Sequence, residues 1–265
     1  MKNVAVLLPG IIREYAYLEY INEIRKLENT EDIKFYFFGI CYDFQGRDKT
    51  AWHTHLDIKN DKKVDLSIVE KYNLDDLKVC NDIITKDADG YDGRILAQWT
   101  LVKDVFAMME NFSKKNQIHF DCVVRSRWDL KIKIDKLLYS LYIVLDKNKI
   151  SCVKYITITD QSFMGPFDKM KKVCSLVDYY YEYLKLDKFI QMQETHTKIV
   201  CDMKDNPTKY PRRALRDRKN QFNLRFTAQS EHLLSHHMYN NFRFPDEALN
   251  VRGKQKWWQL RNVKK

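Results

Sequence analysis

Short apolar runs that each end at a polar or glycine-containing loop are the feature that most constrains the fold of this 265-residue chain. Such runs occupy residues 4–8, 33–40 and 120–124, and residues 94–111 carry apolar side chains three and four positions apart. Buried parallel strands have continuous apolar sequences, whereas spacings of three and four place one apolar stripe on a helix. This alternation predicts an α/β fold with a central, mainly parallel sheet flanked by helices.

The composition predicts one folded domain. Hydrophobic residues make up 45% of the chain and aromatic residues 13%, which is enough apolar surface to offset the entropy lost on folding. With only 7 glycines and 5 prolines, no linker marks a boundary. We expect a single domain, with an α/β core over residues 1–205 and a basic, mostly helical C-terminal extension over residues 206–265.

The cysteines and the N-terminal residues indicate the compartment. Six cysteines are spread without a CxxC pair, which is typical of reduced thiols. The first apolar run breaks at Pro9-Gly10 and reaches Arg13, so it predicts a strand and not a signal peptide. No run approaches the ~18 apolar residues of a membrane span. We therefore expect a cytoplasmic protein.

The net charge of +10 is concentrated near the C-terminus, because residues 201–265 hold 15 Lys and Arg against 6 Asp and Glu. A basic surface attracts anions, which include a diphosphate, an acidic glycan, a lipid headgroup and nucleic acid. The segment 209–219 is typical of a solvated basic face, and its alternative role is peripheral contact with an anionic membrane. Charge alone does not choose among these partners.

The segment FDCVVRSRWDL places charged residues directly after a buried strand. Ligands of open α/β sheets bind beyond the carboxyl ends of the strands. Asp129 offers the hard oxygen ligand that Mn²⁺ or Mg²⁺ prefers, and Arg125 or Arg127 can hold phosphate oxygens through paired hydrogen bonds. The alternative is a surface ion pair at a strand end, which is the commoner role of a single motif of this kind.

Two further strand ends carry polar residues. After residues 150–158, Asp160 can act as a base toward an acceptor hydroxyl or hold the acceptor together with Gln161. Their alternative role is to cap the turn before the next helix. After the first strand, Gly10 permits close approach of a nucleotide and Arg13 can contact its phosphate. A lone glycine in such a loop is weak evidence, and the sequence there is neither GxGxxG nor a P-loop.

A helix predicted at residues 228–239 carries His232 and His236 one turn apart. This spacing suggests a zinc site, but the HExxH order is absent and no third ligand is indicated. We expect these histidines to be partly exposed. Glu231 or His236 would line the site if this helix folds back over the strand ends.

Taken in order, these segments resemble a family of bacterial and large-virus surface-polysaccharide glycosyltransferases, similar to the WavE lipopolysaccharide-synthesis group. The similarity spans roughly residues 4–240 as short motifs that are more specific in series than alone. The motifs are AVLLPGIIR, Ala97-Gln98-Trp99, FDCVVRSRWDL, ITDQSFMGPFDKM and SEHLLSHHM.

The resemblance implies a Rossmann-like GT-A fold and transfer of a sugar from a UDP- or GDP-linked donor to a glycan or glycoprotein hydroxyl. It implies that Asp129 lies near the donor phosphates and that Asp160 and Glu231 lie on the acceptor or catalytic side. In an inverting enzyme we expect Asp160, with Glu231 as second choice, to be the catalytic base, whereas in a retaining enzyme neither assignment need hold, and the sequence does not decide between the two. The extension over residues 206–265 would then close the acceptor side. We expect donor contacts from Gly10, Arg13, Gln98, Arg125, Arg127 and Asp129, and acceptor contacts from Gln161 and His236.

The chain departs from general GT-A enzymes at their two-acid Asp-x-Asp motif, where it has Arg127-Trp128-Asp129. Losing one carboxylate leaves the requirement for Mn²⁺ or Mg²⁺ open. Arg127 can itself neutralise part of the charge on the leaving group.

Two other functional classes compete with the transferase. One is a nucleic-acid-binding protein that uses the basic C-terminal region with its aromatic residues. That class explains the charge but not the carboxylates at strand ends, so we expect no nucleic-acid partner. The other is a catalytically inactive α/β scaffold that binds glycan.

Overall fold

A computed structural model describes residues 1–13, 15–44, 63–81, 93–152, 161–209, 230–243, 246–250 and 258–260. The strands in these ranges are β1 (Lys2–Gly10), β2 (Ile33–Tyr42), β3 (Asp76–Cys80), β4 (Cys122–Arg125), β5 (Leu130–Ile132), β6 (Ile150–Cys152), β7 (Phe163–Pro166), β8 (Ala248–Asn250) and β9 (Trp258–Leu260). The α-helices are α1 (Glu19–Lys26), α2 (Leu66–Glu70), α3 (Arg94–Asn116), α4 (Ile134–Lys147), α5 (Phe167–Cys174), α6 (Tyr180–Leu184), α7 (Asp187–Asp205) and α8 (Ser230–Asn241).

Seven strands form one sheet in the order β3-β2-β1-β4-β7-β6-β8. Strands β3, β2, β1 and β4 are parallel, with Leu7 of β1 opposite Arg125 of β4. Strand β7 is antiparallel to β4 and β6, and β8 pairs with β6 in parallel. A separate two-stranded sheet joins β5 to β9. The sheet is mixed and mostly parallel, and helices flank it, which confirms the predicted α/β class.

The sheet buries both of its faces, because alternate side chains of each strand point to opposite sides. On one side, Val4 and Val6 of β1 pack in a cluster with residues of α1, α2 and α4. On the other side, Ala5 and Leu7 pack in a cluster with residues of α3, α5 and α8. We refer to these two sides as the α1 face and the α3 face.

The apolar runs predicted three of the parallel strands and the long helix. Strands β1, β2 and β4 and helix α3 lie where the runs at residues 4–8, 33–40, 120–124 and 94–111 indicated. Strand β7 was not predicted, because the sequence of Phe163–Pro166 is short and contains Gly165-Pro166, which is typical of a turn. Its position in the sheet aligns Phe163 with Arg125.

The cysteines are free thiols: Cys41, Cys122, Cys152 and Cys174 are buried, Cys80 is half-buried and Cys201 is exposed. Within the described residues, every helix is too short or too polar to cross a lipid bilayer.

Candidate functional site

The strand order reverses between β1 and β4. Helices α1 and α2 connect β1, β2 and β3 along the α1 face, whereas α3 connects β3 to β4 along the α3 face. Because the two connections leave on opposite sides, the carboxyl ends of β1 and β4 form a topological switch point. Open α/β sheets bind ligands at such a switch point.

Three charged side chains meet at this switch point. Arg127 donates from Nε to Oδ1 of Asp129 at 2.9 Å and from Nη2 to Oδ2 at 2.7 Å. Arg13, which follows β1, donates from Nη1 to Asp129 Oδ2 at 3.3 Å. We call this group the Arg13–Asp129–Arg127 cluster. Arg13 and Asp129, which the cluster brings together, are 116 positions apart in the sequence.

The carboxylate of this cluster is buried, whereas its arginines reach the surface. Asp129 is 5% exposed, and the side chains of Arg13 and Arg127 are 16% and 27% exposed. Burial raises the pKa of Asp129, but the Arg127 and Arg13 guanidinium groups more than offset this effect, so the pKa lies below its ordinary value. Asp129 is therefore ionised near neutral pH, and the cluster has a net positive charge with both cations at its outer side.

Trp128, the residue between Arg127 and Asp129, is buried on the α1 face. Its Nε1 donates to the carbonyl oxygen of Ile40 in β2 at 3.3 Å. A Cβ at Gly39 would lie 2.7 Å from Cη2 and 2.8 Å from Cζ2 of Trp128, so only glycine leaves room for the indole. The packing of Trp128 on β2 thereby fixes the backbone that carries Arg127 and Asp129.

Gly10 ends β1 beside the cluster. Its φ is +119°, a conformation that side chains other than glycine's rarely adopt. No described atom lies within 4 Å of the position that a Cβ would occupy. The backbone at Gly10 is therefore open on this side, and its contact with a donor nucleotide stays a prediction.

Arg125 lies on the α3 face, away from the carboxylate of Asp129. Its guanidinium is buried 5.5 Å from the centre of the Phe163 ring. Burial raises the pKa of the Cys174 thiol to about 12, and the positive charge of Arg125 opposes part of that rise. Ser162 donates to the Arg125 carbonyl oxygen at 2.7 Å. Arg125 thus supports the junction of β4 and β7, and its contact with phosphate stays a prediction.

Helix α8 is attached to the amino end of α3 by a buried hydrogen bond. Trp99 Nε1 donates to Oγ of Ser230 at 3.0 Å, and Gln98 Nε2 lies 3.5 Å from the same oxygen. The indole of Trp99 stacks on Phe163 with 6.3 Å between ring centres. Glu231 is half-buried next to Ser230, so it lies near Gln98 at the amino end of α3.

The histidines of α8 do not belong to the Arg13–Asp129–Arg127 cluster. Lys188 donates to Nδ1 of His236, and His236 also contacts the Tyr183 ring. His237 is buried, and its Nε2 donates to the Lys172 carbonyl oxygen at 2.6 Å. Burial lowers the pKa of both histidines. The acceptor role of His236 stays a prediction.

Gln161 is half-buried just before β7 and beside the Arg125 junction. Asp160 lies outside the described residues, and so does the segment 210–229 that holds most of the predicted basic face. The roles proposed for Asp160 and Gln161 toward an acceptor therefore stay predictions.

The donors around Asp129 are cationic. Both carboxylate oxygens accept hydrogen bonds from guanidinium groups, and a divalent cation would have to displace at least one of them. No group of three or more His, Cys, Asp or Glu side chains suited to a metal occurs among the described residues. As arranged, these residues do not fit Mn²⁺ or Mg²⁺. The metal predicted at Asp129 stays a prediction, and we assign no step to it.

Two buried hydroxyl groups near this site were not identified from the sequence. The hydroxyls of Tyr20 on α1 and of Ser126 at the end of β4 are buried and have no hydrogen-bond partner among the described residues. The spacing of Tyr20, Ile21 and Ile24 predicts core packing only, so no pattern in the sequence indicates the unpaired hydroxyl.

No protein-family model matches the chain, and no curated protein matches it. Among solved structures it is similar to a glycosyltransferase involved in the glycosylation of the major capsid of PBCV-1. The two are 10% identical with a TM-score of 0.34, over 69% of this chain and 77% of that chain. A TM-score of this size does not establish a shared fold, so the α/β class follows from the strand order alone.

Proposed function

We propose that this protein is a glycosyltransferase that binds a nucleoside-diphosphate sugar beyond the ends of β1 and β4. The observation that carries the proposal is the Arg13–Asp129–Arg127 cluster at the switch point of the sheet. The resemblance of the motif series to surface-polysaccharide glycosyltransferases of the WavE type favours the same activity and suggests a glycan or glycoprotein acceptor.

The cluster suits a diphosphate because it combines positive charge with fixed donor geometry. Two guanidinium groups share one buried carboxylate, so their net charge favours an anion. Guanidinium groups present several N–H donors in a planar fork whose geometry matches phosphate oxygens. Asp129 acts here as the group that holds both arginines in position.

Transfer breaks the bond between the anomeric carbon and the diphosphate. The diphosphate takes the electron pair of that bond, and the acceptor hydroxyl forms the new bond to carbon and loses its proton. Arg13 and Arg127 would stabilise the charge that develops on the leaving diphosphate. Asp160 is our first choice for the base that takes the proton, and Glu231 on α8 is the second. Gln161 and His236 are proposed to contact the acceptor.

Two further proposals concern the basic C-terminal residues and a metal ion. We propose that the basic C-terminal residues make peripheral contact with an anionic membrane or glycan. We also propose that any requirement for Mn²⁺ or Mg²⁺ arises at the donor diphosphate itself, because both oxygens of Asp129 already accept from arginines.

The test measures binding and transfer with UDP- and GDP-linked sugars, each with Mn²⁺ and with a chelator. We expect the wild-type protein to bind at least one of them. Arg127→Ala should weaken that binding about 30- to 100-fold, because it removes a bidentate charged donor. Asp129→Ala should abolish transfer while the protein stays folded.

Lys103→Ala is the matched control, because Lys103 pairs with Asp178 on the surface of the α3 face. It should bind the same nucleotide sugar as tightly as wild type. Full transfer activity in a folded Asp129→Ala variant would exclude the site. Salt-dependent binding of oligonucleotides without any response to nucleotide sugars would instead favour the nucleic-acid alternative.

A further inference from the structure

A connected group of aromatic and polar side chains lies outside the Arg13–Asp129–Arg127 cluster, where α7 and α8 meet the segment that leads into α6. The Tyr179 ring stacks on the Tyr183 ring, with 5.7 Å between centres and 17° between planes. The Tyr183 ring meets the His236 imidazole edge-on at 4.6 Å. Asn240 Nδ2 lies 3.1 Å from Nε2 of His236, and Lys188 donates to its Nδ1. We call these five residues the Tyr179–Lys188–Asn240 surface.

The ring of Tyr179 is open to solvent although a buried ring supports it. Tyr179 is 42% exposed, whereas Tyr183 beneath it is 6% exposed. Because Tyr183 covers one face of the stacked pair, the open area of Tyr179 lies on its other face and its edge. An aromatic ring has an apolar face, and the C–H face of a sugar ring packs on such a surface. Tyr179 is thus a platform of the kind that a sugar ring can occupy.

Lys188 is the charged member of this surface. Its ammonium donates to the His236 imidazole and lies 5.1 Å from the centre of the Phe189 ring. Within the described residues it has no acidic partner. Burial lowers the pKa of His236, and the charge of Lys188 lowers it further, so this imidazole is neutral near pH 7. One hydrogen bond to a neutral ring leaves the positive charge of Lys188 uncompensated.

The charges around Lys188 favour a single anionic group over an anionic membrane. Residues 182–188 hold Lys185 and Lys188 against Glu182 and Asp187, so this segment has no net charge. Peripheral binding to anionic lipid uses clusters of basic residues. A lone ammonium beside an open aromatic ring and an exposed amide instead suits one carboxylate on a sugar.

We propose that the Tyr179–Lys188–Asn240 surface binds the acceptor glycan at a sugar that carries a carboxylate. The sugar ring packs on Tyr179, Lys188 pairs with the carboxylate, and Asn240 hydrogen-bonds to a hydroxyl. Helix α8 links this surface to the proposed catalytic side, because Glu231 lies five residues before His236, roughly 8 Å along the helix axis. The inference rests on the proposed function and names an acidic acceptor for it.

The first experiment measures binding of tetragalacturonate and of a hyaluronan tetrasaccharide at low salt. We expect wild type to bind at least one of them, and to bind neutral maltotetraose about fivefold more weakly. Lys188→Gln should weaken acidic binding about fivefold and remove this preference, whereas Lys188→Arg should keep it. Tyr179→Leu should weaken binding about fivefold, whereas Tyr179→Phe, which keeps the ring, should bind like wild type.

Two matched controls make the same chemical changes elsewhere. Lys114→Gln removes an exposed charge in the last turn of α3, and Tyr139→Leu removes a ring that is 49% exposed on α4. Both should bind the acidic tetrasaccharides like wild type. Equal losses in the controls would overturn the assignment. Tetraglutamate bound as tightly as tetragalacturonate, or phosphatidylserine vesicles bound through Lys188, would overturn the glycan as the ligand.

The second experiment separates this inference from the proposed function. Lys188→Gln and Tyr179→Leu should bind UDP- and GDP-linked sugars like wild type, and Arg127→Ala should bind the acidic tetrasaccharides like wild type. If wild type binds a nucleotide sugar but neither acidic tetrasaccharide, the acidic acceptor is wrong while the proposed function stands. If wild type binds an acidic tetrasaccharide but no nucleotide sugar, the proposed function and the acceptor role are wrong, and the surface remains a glycan-binding site.

Discussion

The two faces of the sheet bury polar groups in different ways at the same edge. On the α1 face, the ends of β1 and β4 hold an ionised cluster of two arginines and one aspartate. On the α3 face, helix α8 is held by neutral hydrogen bonds, from Trp99 to Ser230 and between Tyr183 and His237. The charged cluster and the neutral hydrogen bonds that hold α8 thus lie on opposite faces, with the guanidinium of Arg125 buried on the α3 face beneath Phe163.

The difference indicates that the polar groups of the two faces have different roles. Burying charges costs free energy that paired geometry only partly offsets, so an ionised cluster is a poor way to stabilise a fold. Neutral hydrogen bonds between buried groups carry no such cost and fix the place of a helix. The proposed anion site therefore lies on the α1 face, whereas the described neutral hydrogen bonds on the α3 face hold α8.

The largest expected effect comes from disturbing the packing of Trp128, the residue between Arg127 and Asp129. Gly39→Ala places a methyl group 2.7 Å from the Trp128 ring, so the indole must move. We expect a loss of about 1–3 kcal/mol in the free energy of unfolding, together with weaker diphosphate binding, because Asp129 follows Trp128 in the chain. Chemical denaturation and a binding titration measure the two effects.

A second substitution checks the cause of that loss. Trp128→Phe removes the ring atoms that the new methyl group would strike. Gly39→Ala should therefore cost clearly less in the Trp128→Phe background than in wild type. An equal cost in both backgrounds would show that the clash with Trp128 is not the reason.

A smaller effect is expected on the α3 face, where neutral hydrogen bonds hold α8. Ser230→Ala leaves Nε1 of Trp99 buried without its acceptor at 3.0 Å, which should cost about 1–2 kcal/mol of stability. Diphosphate binding at the Arg13–Asp129–Arg127 cluster should stay unchanged, because Ser230 acts on the opposite face. Denaturation and nucleotide titration of the same samples give both values.

Ser235→Ala is the control for this variant, since its hydroxyl donates within α8 to the Glu231 carbonyl oxygen. We expect its stability to stay within about 0.5 kcal/mol of wild type. A drop in nucleotide binding for Ser230→Ala as large as for Arg127→Ala would break the separation of the two faces.

The sequence predicted the parallel strands well, because their signal is local. Strands β1, β2 and β4 are continuous apolar runs that need no knowledge of their neighbours. Strand β7 was missed because only its pairing with β4 makes Phe163–Pro166 a strand. The strand order itself follows from the fold of the whole chain and is not encoded in any one segment.

The site was predictable to a similar degree. Charge directly after β4 indicated Arg127 and Asp129, and the loop after β1 indicated Arg13. Alternation along β4 turns Arg125 to the α3 face, whereas Trp128, which follows the strand, packs on the α1 face. The orphaned hydroxyl of Tyr20 depends on atoms from several segments, and no spacing in the sequence reports it.

The smallest expected effect is the dependence of stability on pH, which should distinguish the two faces without any mutation. Burial lowers the pKa of His237, and likewise of His232 and His236, below the ordinary value of 6.5. Because the folded-state pKa is lowered, the stability that the neutral histidines contribute is complete above pH 6.5. It is lost as the pH falls toward the folded-state pKa. Asp129, with its pKa below 3.8, should lose its contribution only below that pH.

Thermal unfolding of wild type and a His237 variant between pH 8 and pH 5 tests the histidine network of the α3 face. The Lys172 carbonyl oxygen can only accept, so Nε2 of neutral His237 carries the proton and Nδ1 accepts from the Tyr183 hydroxyl at 2.9 Å. Protonation of Nδ1 removes that acceptor. His237→Gln should lower the melting temperature at pH 8 and reduce its decline toward pH 5. A decline as steep as that of wild type would show that the buried histidine network does not account for the acid sensitivity of the α3 face.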